Sequence, residues 1–185
     1  MMLNLLTKRR ESITIRDFKK EVFDIKDTNH MEEILYLVQI TKEDIQALHL
    51  IAELIEEHAP TMAERHYQMI QEIPEIKGIF HEFTTYERYT NAIIVYYKQL
   101  SKPVINDAYI EYRKKIGRIH SRIKLSEEWY IGSYMRVYEY IIPFITDKFK
   151  SDPITLSNIL VALNRIIHLD TIIVLESYRE AISSS

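Results

Sequence analysis

The apolar positions of the chain fall into blocks with helical spacing, divided by polar runs and prolines. Met31, Ile34, Leu35 and Val38 line one face of a short helix. Thr41, followed by Glu43 and Asp44, caps a second helix that the pattern carries to about His58. Pro60 suits a helix start, so the next helix is expected over 61–73, ended by Pro74. Thr84-Thr85-Tyr86-Glu87 is a capping-box pattern that opens a helix running through Tyr96 and Tyr97 to Leu100, and Pro103 closes it. Asn106 or Asp107 caps a helix bearing Ile110, Ile116, Ile119, His120 and Ile123. Ser126 with Glu127 and Glu128 opens a long one, apolar around much of its circumference through Trp129, Tyr130, Tyr134, Val137, Ile141 and Phe144, with a bend expected at Pro143. Asp152-Pro153 begins the last, which runs through Ile159, Leu163, Ile166, Ile167, Ile173 and Val174 to about Ala181.

Composition agrees with this all-α reading. Only 3 glycines and 5 prolines interrupt 185 residues that are 46% hydrophobic, so long helices are expected, enough for one domain with a substantial core. Residues 1–30 are charged and weakly periodic and read as an N-terminal extension; residues 31–182 read as the domain.

The absence of cysteine excludes disulfides, thiolate metal sites and covalent haem attachment through CxxCH. A net charge of −3 with intermingled signs offers no basic field for nucleic acid. The first residues place their charges after a short apolar stretch, the wrong order for a secretory signal, and no run approaches the roughly 20 apolar residues of a membrane span. A soluble, cytoplasmic protein is expected.

Chemistry centres on the 7 histidines. None forms an HExxH pair or another close zinc-ligand spacing. His30, His49, His58, His66, His81 and His168 read as surface or interface residues. His120 differs, because Ile116 lies one turn before it and Ile123 nearly one turn after, so its helix face is apolar. An imidazole there either satisfies itself on a neighbouring carbonyl or hydroxyl, or binds a haem iron through its neutral nitrogen. The neighbouring cations Arg113, Lys114, Lys115, Arg118 and Arg122 read as a solvated face.

The stretch from Tyr109 to Leu125 contains Arg118-Ile119-His120-Ser121-Arg122-Ile123 and is followed by Trp129-Tyr130-Ile131-Gly132. Arg-Ile-His-any-Arg-Ile followed by Trp-Tyr-any-Gly resembles the proximal region of the globin-coupled sensors, above all the haem-based aerotaxis transducers. The similarity extends more weakly from about Leu37 to Tyr178, ending on Val174-Leu175-Glu176-Ser177-Tyr178. The resemblance implies a globin fold carrying haem b, with His120 as proximal iron ligand and oxygen as the gas bound. It further implies Tyr67, in Ala63-Glu64-Arg65-His66-Tyr67, as hydrogen-bond donor to that gas, and Tyr130 as a neighbour of the proximal histidine that rearranges with ligation. Ile116 and Ile123 would then flank the haem.

Two positions depart from the family pattern. Tyr89 stands where relatives carry leucine and Ala92 where the transducers carry threonine, both on the covering helix face with Ile93 and Tyr96. Tyr89 could serve as a second donor, as a gate or as a residue at the pocket rim. The resemblance implies an oxygen sensor for aerotaxis rather than an enzyme, with input to a kinase or diguanylate cyclase, or a single-domain globin storing oxygen or oxidising nitric oxide, as alternatives. An output module is expected as partner if the chain is an excised domain, and a homodimer is expected through the last two helices.

Overall fold

The computed structural model describes residues 23–26 and 28–183, so the reading of residues 1–22 as a weakly structured extension lies outside the described residues. Within them eight helices follow in order: α1 Thr28–Val38, α2 Lys42–His49, α3 Ala52–Glu72, α4 Pro74–Phe83, α5 Tyr86–Ser101, α6 Asp107–Arg122, α7 Glu127–Phe149 and α8 Pro153–Ser183.

Three predicted starts hold through the atoms that the sequence named. Thr41 and Asp44 form a reciprocal capping box on α2. Asn106 accepts from the Tyr109 N–H at the head of α6, at 2.9 Å. At the head of α8, Asp152 Oδ1 accepts the Thr155 N–H at 3.0 Å. At the head of α5 the cap is Thr85, which accepts from Arg88 N–H at 3.3 Å, so Glu87 does not close a box there.

The middle of the chain departs from expectation. The predicted helix to His58 breaks at Leu50–Ile51, and Pro60 lies inside α3 rather than opening it. An interior proline forfeits a hydrogen bond and costs about 3 kcal/mol. Ala52, Ile55, Ala59, Met62, Ala63, His66 and Ile70 form one continuous buried stripe, however, and Pro60 itself is on the exposed side. Burying that stripe outweighs the lost bond. Helix α4 was not foreseen; its signals are Pro74 at the first turn and the buried pair Ile76 and Phe80 one turn apart.

α8 is the spine. Ile159, Leu163, Ile166, Ile167, Ile173 and Val174 are at most 2% exposed, and α8 packs against α1, α2, α5, α6 and α7. Its segment Pro153–Tyr178, with a mean hydropathy of 1.6 in its most apolar stretch, is long and apolar enough to cross a membrane. That corrects the expectation that no run approaches this length. Polar Asn158, Asn164, Arg165, His168 and Asp170 hide it from a count of consecutive apolar residues. More than half of that stretch is buried against the other helices, as in a core helix.

The described apolar interior divides in two. The main core joins α1, α2, the first part of α3, α5, α6, α7 and α8. A second cluster gathers Ile70, Ile76 and Phe80, with Tyr67, Tyr89, Leu125 and Trp129 packed on it. Leu125, just beyond α6, touches both.

Candidate functional site

Where α6 ends, His120 is half-buried, and its Nδ1 lies 2.8 Å from the Ile116 carbonyl one turn back. A carbonyl only accepts, so Nδ1 carries the proton and the Nε2 lone pair is left over. No described residue bonds that Nε2. Burial lowers the pKa of His120, and the bond to Ile116 works against that shift, so the ring is neutral near pH 7. His168 on α8 makes the same bond to Asn164, at 2.8 Å, but stands exposed. Burial, not the backbone bond, sets His120 apart.

Tyrosines from two helices flank this imidazole, and a third helix joins them through a row of hydroxyls. Tyr130 of α7 lies 5.3 Å from it between ring centres, and Tyr178 of α8 stacks nearly parallel at 6.4 Å. The Tyr130 hydroxyl bonds that of Tyr134 at 2.6 Å, and Tyr96 of α5 donates to Tyr134 at 3.0 Å. Burial raises the Tyr130 hydroxyl well above its ordinary pKa, helped by Tyr134, and pushes that of Tyr134 up to about 12. All three hydroxyls stay protonated and can pass a hydrogen bond along the row.

Beneath the row lies an ion pair that the sequence reading did not foresee. Arg113, assigned to a solvated basic face, is 1% exposed and its Nε lies 2.8 Å from Oδ1 of fully buried Asp170. Its Nη1 donates to Gln99 at 2.8 Å, Tyr109 donates to the same Asp170 oxygen, and the guanidinium lies 4.4 Å above the Tyr109 ring. Arg113 precedes Ile116 and Gly117 by about one turn, so it points at α8 with them, whereas Arg122 is exposed.

A second group of buried aromatic side chains comes from α3 and α5. His66, expected at the surface, is instead 8% exposed on the buried stripe of α3. Its Nδ1 lies 2.8 Å from the hydroxyl of Tyr97, and Tyr89 meets its ring edge-on at 6.0 Å. Burial, with the charge of His120 adding to it, holds the His66 pKa down at about 4. Tyr67, the next residue, is half-buried in the second cluster, its ring 5.3 Å from Phe80 and 4.8 Å from Tyr86. Tyr89 turns inward onto Phe80 and His66, not outward at a rim. Ala92 is exposed, and Ile116 and Ile123 are half-buried near His120.

The fold thus brings His120, Tyr130 and Ile116 together, and groups Tyr67 with Tyr89. It adds His66, Tyr97, Tyr134 and Tyr178, which sequence reasoning did not place at the site. The helical register of His66 with Met62, Ala63 and Ile70 was the available signal.

The protoglobin family profile matches residues 27–184. The chain belongs to the protoglobin family. Among solved structures, the globin domain of a Geobacter sulfurreducens globin-coupled sensor is similar to it, with a TM-score of 0.74 and 24% identity over 80% of this chain and 97% of that one. Its fold is therefore that of a globin-coupled sensor's globin domain, in accord with the resemblance in the sequence. The residues of this protoglobin fit a haem by the chemistry of the donor set. His120 has one nitrogen tied to the backbone and the other carrying a free lone pair, which is how a globin histidine binds iron. Ile116, Tyr130 and Tyr178, all packed in or on the main core, stand beside His120 and supply the apolar and aromatic surface that a macrocycle requires.

Proposed function

We propose that this protoglobin domain is a haem-based oxygen sensor, with haem b held by His120. The observation that carries this reading is the single half-buried histidine whose Nδ1 is bonded to Ile116 and whose Nε2 is unclaimed beside Tyr130 and Tyr178. When bound, the haem iron supplies reversible binding of a diatomic gas.

The protein's part is to hold and orient. Ile116 O sets the ring plane of His120 and makes its outer nitrogen more basic. Ile116 and Ile123 keep water from that face. Tyr67 and Tyr89 line the gas side with the second cluster, Tyr67 as the family's donor position, and Ala92 widens the covering helix where a threonine would add a hydroxyl. Tyr130 links His120 to the Tyr134–Tyr96 row, so a shift of the imidazole is felt on α5 and α7.

Aerotaxis is the output that the sequence motif favours, through a signalling module and in the cytoplasm. Two copies would pair along α7 and α8, where Ile131, Met135, Phe144, Ile154 and Val161 are exposed. The purified protein is expected to show a haem absorption band that changes between ferric, gas-free ferrous and oxygen-exposed ferrous samples. A purified chain that takes up no haem removes this reading.

A further inference from the structure

We infer that His66 is a second hydrogen-bond donor to the bound gas, held by Tyr97 in the tautomer that carries its proton on Nε2. This inference rests on the haem reading above. Its starting point is the Tyr97 hydroxyl, on a residue 1% exposed, 2.8 Å from His66 Nδ1. Among the described residues no carbonyl or carboxylate bonds this hydroxyl, so His66 is its acceptor. A buried O–H left without an acceptor is costly, so the hydroxyl donates and Nδ1 accepts. A neutral imidazole that accepts at Nδ1 has its proton at Nε2.

The two histidines of the site are thereby given opposite tautomers by their partners. His120 is bonded to a carbonyl, which can only accept, and so offers a lone pair at Nε2. His66 is bonded to a hydroxyl that must donate, and so offers an N–H at Nε2. The first suits an iron; the second suits the partial negative charge that develops on bound oxygen. No described residue bonds the His66 Nε2. Tyr89, which meets His66 edge-on, also packs on Phe80, against which Tyr67 stands, so His66 belongs to the same group as the two tyrosines of the gas side. If His66 instead ligated the iron, Nδ1 would have to carry the proton and the buried Tyr97 hydroxyl would lose its acceptor.

Nitrogen-15 histidine spectra of the haem-free protein read the tautomers directly. The expected result is Nε2–H for His66 and Nδ1–H for His120, with the His66 preference lost in Tyr97→Phe, which keeps the ring packing. In haem-loaded protein, His66→Leu is expected to speed oxygen release by about tenfold or more while carbon monoxide release changes much less. His66→Gln, whose amide N–H reaches a similar place, restores most of the difference. Tyr97→Phe gives a smaller acceleration. An Nδ1-protonated His66, a gas-free ferrous spectrum with two histidine ligands, or loaded His66→Leu with unchanged oxygen release each overturns the inference while leaving the haem reading intact. A wild-type chain that takes up no haem overturns both.

Discussion

Gly117 lies so close to Ser177 that a Cβ on the glycine would fall 1.9 Å from the serine Oγ and 2.3 Å from the Val174 carbonyl oxygen. The second contact is with backbone, which cannot swing aside, so α6 and α8 touch here only because residue 117 has no side chain. Gly117→Ala gains helix propensity of about 1 kcal/mol but must push the helices apart. Overpacking against backbone puts the cost near the upper end, about 3 kcal/mol, so the net expected effect is a loss of about 2 kcal/mol in unfolding free energy. A denaturant midpoint equal to that of the wild type would show that the helices part without cost.

His120→Ala is expected to abolish stable haem uptake or to leave a haem without its protein ligand. His168→Ala should be silent, because His168 has the same backbone bond in an exposed setting. An unchanged gas-free ferrous spectrum in the His120 variant would sink the ligand assignment.

For the gas side, Tyr67→Phe is expected to speed oxygen release roughly 10- to 150-fold, the worth of a hydrogen bond of about 1.5–3 kcal/mol to a charged acceptor. Tyr89→Phe should do less, since its ring is already engaged with Phe80 and His66. Stopped-flow release decides it: acceleration in the Tyr89 variant alone would move the donor to α5.

The Arg113–Asp170 pair links α6 to α8 out of reach of water. Arg113→Met leaves Asp170 charged and buried, at an expected cost of about 3–5 kcal/mol. The double variant Arg113→Met/Asp170→Leu should recover most of this in urea unfolding. A double variant as weak as the single one would mean that the pair's surroundings, Gln99 and Tyr109 included, carry the stability.

Acid should weaken the haem-free protein through His66. Its ordinary pKa is 6.5 and burial lowers it to about 4 in the fold. Below pH 6.5 the unfolded chain binds a proton that the folded one refuses, so this contribution is intact above that pH. It falls away toward pH 4 by about 3 kcal/mol. The lowered pKa of His120 acts in the same direction. Replacing His66 by Phe is expected to flatten the slope of stability against pH between 6.5 and 4; an unaltered slope would assign it elsewhere.

By itself the sequence determined the all-α class, the starts of α2, α5, α6, α7 and α8, and the chemistry offered by His120, because caps and helical stripes act over one or two turns. The family motif likewise lies within one short stretch. Tertiary structure alone decided the rest. Pro60 sits mid-helix because a stripe seven residues strong is buried against other helices. Arg113 is buried and His66 interior because each faces a helix far away in sequence, Asp170 and Tyr97 being their partners. Local spacing shows which side of a helix a residue occupies. Whether water or another helix lies on that side depends on contacts between distant segments, and so does the tautomer of each buried histidine.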